Sequence, residues 1–315
     1  MALEPKDKTH ALQIQAGILG RNAGHKFEDT IVQQLNNVDY PFSIADLAAK
    51  NIFKGNPALL ILQYIAKTMK ETKILKANAI STGALATSED GRKWLDINGV
   101  AINRCKSDLV ISLIFANERK LTTGVSIKQC SKKKPTNAQL YFTTAKAFVS
   151  LLQRNGIVVS DSALLALKQF CGDNNFRPLD DPKLMIGRTT DPRRFFWEEI
   201  NDDGRNDWVN IFNVHQDLIT SLLLQKAYLN DPFTPEFILH KTCLSNSWDS
   251  TEVALYSVDE LVKLSKKYRG FETKNYSVKK GSYKDPPGVF HQAPRFGIVQ
   301  MQRGGQKQHP EQLQF

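Results

Sequence analysis

Two neighbouring stretches of this chain alternate as β-strands do, yet they carry charge where short apolar strands usually carry none. The first runs Ser107-Asp108-Leu109-Val110-Ile111-Ser112-Leu113-Ile114 and the second Gly124-Val125-Ser126-Ile127-Lys128-Gln129. Strand side chains point alternately to the two faces of a sheet, so Ser126 and Lys128 share one face and Val125 and Ile127 the other. An ammonium group in such a strand is costly to bury unless something compensates it. Asp108, at the head of the first strand, is placed to do so. The polar link Ala116-Asn117-Glu118-Arg119-Lys120 suits an antiparallel hairpin joining the two. The chain must therefore build a sheet that tolerates an acid and a base side by side.

The rest of the sequence frames that hairpin with helices. From Ala23 the residues Phe27, Ile31 and Leu35 recur at helical spacing and form one apolar stripe, with Glu28 at its border. A second helix is expected around Ala58–Met69. Ser81–Arg92 reads as a turn region. Thr144–Arg154 reads as a helix with Ala147, Phe148, Leu151 and Leu152 on its apolar side, stopped by Gly156. Another helix near Ser162–Phe170 ends at Gly172. Residues 172–207, rich in Pro, Asp, Asn and Arg, read as a boundary or an extended surface loop. Beyond them, Val209–Leu229 reads as helical, Glu236–His240 as a strand, Val258–Tyr268 as a short helix and Phe296–Gln302 as a closing strand. Together these predict an α/β fold: a mixed sheet flanked by helices over residues 1–171, followed by a C-terminal α+β part with a basic, β-rich tail over 172–315.

Lys and Arg number 42 against 32 Asp and Glu, for a formal charge of +10, an excess that favours a polyanionic partner. The excess is local. Lys128, Lys132, Lys133 and Lys134 follow one another without an intervening acid. Residues 263–307 hold eleven Lys or Arg against Glu272 and Asp285, with Tyr268, Phe271, Tyr276, Tyr283 and Phe290 interleaved. Such stretches track phosphates and offer Gln or Arg to base edges. Lys132, Lys133, Lys134, Gln302, Arg303 and Gln306 are therefore the expected DNA contacts. No apolar run approaches the ~20 residues of a membrane span, and the charged start Met1–Lys8 lacks the apolar stretch of a signal peptide. Cys105, Cys130, Cys171 and Cys243 have no metal-site spacing and read as reduced thiols of a cytoplasmic protein.

Phosphodiester cleavage needs a cation at the phosphate, an activated water and stabilisation of a pentavalent transition state. Mg²⁺ takes one or two carboxylates and keeps several waters. Asp108 is the first candidate ligand, and Lys128 the point charge beside water and phosphate. Ser126 stands on the same face, but a hydroxyl is a poor Mg²⁺ ligand, so a second carboxylate has to come from elsewhere. Glu28 is the best donor in sequence. Gln129 points to the other face and is not assigned. His240-Lys241-Thr242-Cys243 has no second ligand pair and reads as a core His and Cys. His215 falls within an expected helix. No Gly-rich phosphate loop precedes a helix, which disfavours a nucleotide-hydrolysing motor.

Glu28 on an N-terminal helix, then Asp108, then Ser126-x-Lys128, resembles the PD-(D/E)XK nuclease superfamily in a Ser-x-Lys variant. Gly24-His25-Lys26-Phe27-Glu28 is similar to the first helix of many type II restriction endonucleases, and Gln300–Gln306 with Gln312–Phe315 to the closing strand of several. Ser107 stands where the family pattern has Pro, and Ser126 where it usually has Glu or Asp. The resemblance implies a restriction-endonuclease-like core, with Asp108, Glu28, Lys128 and Ser126 catalytic and Asp108 and Glu28 holding Mg²⁺. It also implies double-stranded DNA as partner, a short palindromic target, a homodimer and a cognate methyltransferase. A non-catalytic nucleic-acid-binding protein on the same fold and a structure-specific repair or recombination nuclease stay open beside it.

Overall fold

The computed structural model describes residues 8–45, 47, 50–83, 85, 94–129, 140–226, 228, 230–242, 247–268, 270–277, 285–294, 299–301 and 312–314. The chain forms two compact units, both discontinuous in sequence. One comprises Leu19–Ala138 and Ser221–Leu264, the other Met1–Ile18, Gln139–Thr220 and Ser265–Phe315. A linear division at 171/172 coincides with neither, because strands on both sides of that point belong to one sheet.

That sheet has seven strands, β1 (Phe42–Ser43), β2 (Ile52–Gly55), β3 (Lys73–Ser81), β6 (Leu109–Phe115), β7 (Lys120–Gln129), β9 (Pro235–Lys241) and β10 (Thr251–Ser257), in the order β1-β3-β6-β7-β9-β10-β2. The expected hairpin is its centre: β6 and β7 pair antiparallel, with Leu109 opposite Val125 and Ile114 opposite Lys120. β7 and β9 pair in parallel, which makes the sheet mixed. A small ribbon of β4 (Leu95–Ile97) and β5 (Val100–Ile102) stands apart.

Helix α2 (Pro57–Thr68) lies where the apolar periodicity puts it, whereas α1 (Lys8–Asn36) begins well before the expected start at Ala23. The α1 stripe Phe27, Ile31 and Leu35 is buried with Ile61, Ile65, Leu109, Ile111, Val125, Ile127 and Leu239. Asn56 starts α2, its side chain accepting from the Ala58 and Leu59 N–H groups ahead of an N-terminal Pro57. The opposite sheet face is covered too: Val110 packs with Leu85, Ile97, Ile102 and Cys105. Two covered faces explain why Ser126, on the same face as Val110, is only 1% exposed.

One close approach fixes the register of β7. A Cβ on Gly124 would collide with the Ser107 hydroxyl and come within 2.7 and 2.8 Å of the Phe233 and Thr234 carbonyl oxygens. Ser107 Oγ itself donates to the Phe233 carbonyl at 2.5 Å. We expect Gly124→Ala to lower stability by about 1–3 kcal/mol through overpacking. An unchanged denaturation midpoint would show that β7 and the 233–235 segment part without cost.

The second unit contains α3 (Ala145–Arg154), α4 (Asp161–Cys171) and α5 (Asp202–Val214), with strand β8 (Phe142–Thr144) paired to β14 (Gln312–Gln314), which pairs in turn with β13 (Val299–Met301). Thr144 and Ser160 cap α3 and α4. The buried face of α3 is Ala145, Phe148, Val149 and Leu152, so Ala147 is exposed rather than on the apolar side. The expected helical stretch over Val209–Leu229 is two helices, α5 and α6 (Gln216–Gln225), parted at His215. Residues 172–207 are not a loose boundary. Their arginines are paired, Arg177 with Asp180, Arg193 with Asp191 and Arg188 with Glu199, and Phe196 and Trp197 are fully buried.

Parts of the basic C-terminal stretch are equally committed to packing. In the pair of β11 (Thr273–Tyr276) and β12 (His291–Pro294), Tyr276 tilts against Phe196 and His291 stacks on it. The ring nitrogens of His291 face Glu198 and Asp285 at 2.7 and 2.5 Å. Phe271 lies against Trp197 and Phe212. Tyr268 and Phe290 remain exposed. α7 (Val258–Ser265) follows β10. Among the described residues no helix is long and apolar enough to cross a membrane. Cys105 and Cys171 are buried free thiols; Cys130 and Cys243 lie outside the described residues.

Candidate active site

The site forms where β6 begins and β7 ends. Asp108 precedes β6, and its backbone N–H donates to the Val125 carbonyl at 2.9 Å, which ties it to β7. Its carboxylate reaches over that strand. Oδ2 accepts from the Ile127 N–H at 2.5 Å and from Ser126 Oγ at 3.0 Å, and Lys128 Nζ lies 3.8 Å away. Both side chains of the ion pair are about one-fifth exposed, 22% for Lys128 and 23% for Asp108. The compensation expected from the sequence is thus direct.

Glu28 comes from α1 on the other side of the sheet. Far from being a solvated border residue, it is 7% exposed. Its Oε2 has no hydrogen-bond partner among the described residues. The segment after β3 brings it to Asp108: the Thr82 and Gly83 N–H groups donate to the Asp108 carbonyl at 2.9 and 3.1 Å, and a side chain on Gly83 would run into the Glu28 carboxylate. Burial first, then the negative charge of Asp108, pushes the Glu28 carboxyl up from 4.5 to about 8, against the pull of Lys128. The three residues Glu28, Asp108 and Lys128 therefore sense one another electrostatically, although 80 positions separate the first two in sequence.

This donor set fits one kind of cation. Among the described residues no group of three or more His, Cys, Asp or Glu is arranged to hold a metal. Two carboxylates, one of them buried with an orphaned oxygen, suit a hard ion that keeps most of its waters.

Two further side chains belong to this neighbourhood. His240, read from the sequence as a core residue, is half-buried on β9 and stands in register with Lys128 across the parallel pair. Burial and then Lys128 push its imidazole down from 6.5. Lys106 lies two residues before Asp108. Its ammonium is pushed down to about 8, by burial and then by Lys128, with Asp108 and Asp231 opposing. Nothing in the local pattern marks His240, because its partner strand is more than a hundred residues away in sequence. Lys106 was legible only as a polar residue next to a candidate acid. The expected DNA contacts Lys132, Lys133, Lys134, Gln302, Arg303 and Gln306 lie outside the described residues.

No protein-family profile matches this chain, and no curated protein matches it. Among solved structures it is similar to restriction endonuclease MspI, crystallised in complex with its cognate DNA. The identity is 13%, the match covers 74% of this chain and 76% of that one, and the TM-score is 0.40. The fold class, a mixed sheet flanked by helices, rests on the topology described above.

Proposed function

We propose that the protein is a Mg²⁺-dependent endonuclease of the type II restriction class, cutting double-stranded DNA at a short palindromic site. The observation that carries this reading is the meeting of Asp108, Lys128 and the buried Glu28, whose Oε2 has no partner among the described residues, at one end of the β6–β7 hairpin. A carboxyl left buried and unpartnered is costly unless a ligand uses it. The charge of +10 supports a polyanionic substrate.

In this reading Asp108 and Glu28 would hold the cation, which would supply charge neutralisation at the phosphate and a more acidic water. Asp108 is kept in one rotamer by the Ile127 N–H and the Ser126 hydroxyl. Ser126 is thus a positioning residue that donates to the acid rather than a ligand. Lys128, fixed beside Asp108, orients the attacking water and steadies the charge that develops on the phosphate. A homodimer matches a two-fold DNA site, and a partner methyltransferase would protect the host DNA.

Supercoiled plasmid with and without Mg²⁺ tests the whole reading. Discrete linear fragments support it. Cleavage of branched DNA alone points to repair or recombination, and binding without any product points to a non-catalytic protein on this fold. Ser126→Ala separates positioning from ligation. The Ile127 N–H still holds Asp108, so we expect a loss of about tenfold in single-turnover rate, the worth of one hydrogen bond to a charged group. A loss as large as that of Asp108→Ala would make Ser126 a ligand after all.

A further inference from the structure

We infer that His240 is a second phosphate-contacting residue of this site, lying beside Lys128 and binding the same phosphodiester. The inference rests on the nuclease reading for the identity of the phosphate, but not on cleavage itself.

β7 and β9 run parallel, with Ser126 opposite Ile238 and Lys128 opposite His240. Paired residues of adjacent strands project to the same face with Cβ atoms about 5 Å apart. His240 therefore stands on the face that carries Ser126 and Lys128, one strand further from Asp108. The opposite face of β9 is already committed: Leu239 is fully buried in the core, and Lys241 lies over the Phe27 ring. On β10 the residue paired with His240 is Ala254, which offers no polar group. One step along, Glu252 is engaged by Thr242 Oγ1 at 2.6 Å and by Lys54 at 4.0 Å.

His240 is thus half-buried in register with Lys128, and among the described residues its imidazole has no hydrogen-bond partner. A neutral or cationic partner gains little from that position. An anion that sits between the imidazole and the ammonium gains from both, one as a hydrogen-bond donor and the other as a point charge. With Asp108 on the far side of Lys128, the phosphate would meet donors on β9 and β7 and the acids beyond them.

The test is duplex binding in EDTA, where nothing is cut, by the full chain carrying His240→Ala, His240→Phe or His240→Gln, each checked for native circular dichroism. We expect the Ala and Phe variants to bind about tenfold more weakly, the loss expected for one hydrogen bond to a charged oxygen. The Gln variant, which keeps a donor, should recover part of the loss. In the wild-type protein the His240 ring resonances should shift when duplex is added. Phe keeps the ring but not the donor, so wild-type affinity in His240→Phe, with ring resonances unmoved by duplex, would overturn the inference. If the wild-type protein fails to cut plasmid in Mg²⁺ yet shows this binding pattern, the nuclease reading falls and the phosphate contact stands. If it cuts and His240→Phe binds normally, the contact alone falls. Absence of duplex binding by the wild-type protein would remove both.

Discussion

Asp108→Ala and Lys128→Ala should each slow single-turnover cleavage by about 100- to 1000-fold, Asp108→Ala with little change in duplex affinity and Lys128→Ala with the further loss of about tenfold in binding that one phosphate contact carries. That range is what removal of one preorganised charge-stabilising group costs. The two act on the cation or on the developing charge, whereas affinity for DNA comes mainly from phosphate contacts spread over the surface. The structure adds a condition. Asp108 and Lys128 are 3.8 Å apart and about one-fifth exposed, so each is left without its partner when the other is removed. Some loss of stability is therefore expected in both variants, and rates should be compared at a temperature where both are folded. The double variant should be little worse than either single one, because groups that act together on one transition state lose together. Independent, multiplicative losses would show that the ion pair is structural and that the reaction, if any, happens elsewhere.

The hairpin was legible because its signal is local: strict alternation, a polar link and a charge at each end. So was the α1 stripe, since Phe27, Ile31 and Leu35 need only helical spacing. The rest of the sheet was not. In β3 a register shift between Ile74 and Lys76 breaks the alternation, so Lys73–Ser81 has no clean period to read. β10 pairs with both β9 and β2 and is buried over Thr251, Val253, Ala254 and Leu255, and a continuous apolar run of that length does not distinguish strand from helix. The polar segment 172–207 is an irregular loop up to Asp202, as one of its two readings had it, and lies within one unit rather than between two; its composition did not reveal that its charges pair with one another. The site shows the same limit. Asp108 and Lys128 share one hairpin and were found together, while His240 enters through a parallel pairing that only the tertiary fold specifies. Glu28 was named from its place on the helix, but its burial, the property that makes it chemically interesting, depends on a residue without a side chain at position 83.

Glu28→Gln should make the protein more stable at pH 8 while taking away its cation-dependent activity. Unfolded, the carboxyl titrates near 4.5; folded, it titrates near 8, because burial and then the Asp108 charge disfavour ionisation. Asp29 acts in the same direction, and Lys128 opposes it. Between those two values the folded chain holds one proton more than the unfolded chain. The contribution of Glu28 is therefore fully present below pH 4.5 and is lost as pH rises to about 8, by at most about 1.4 kcal/mol per pH unit. The amide keeps the shape of the protonated acid and does not ionise, so the variant should not share that decline. Urea denaturation at pH 5 and pH 8 in EDTA reads the difference: similar midpoints at pH 5, and a higher midpoint for the variant at pH 8. Adding Mg²⁺ at pH 8 should raise the wild-type midpoint, because a ligand that binds only the folded chain stabilises it, and should leave the variant nearly unchanged. A residue kept only for packing would be improved by this substitution at no loss. Retention of a carboxyl that weakens the fold at neutral pH makes sense if its ionised form is used. A variant whose midpoint falls with pH as the wild-type midpoint does would show that Glu28 is not the buried, proton-holding group, and the second carboxylate of the site would have to be sought elsewhere.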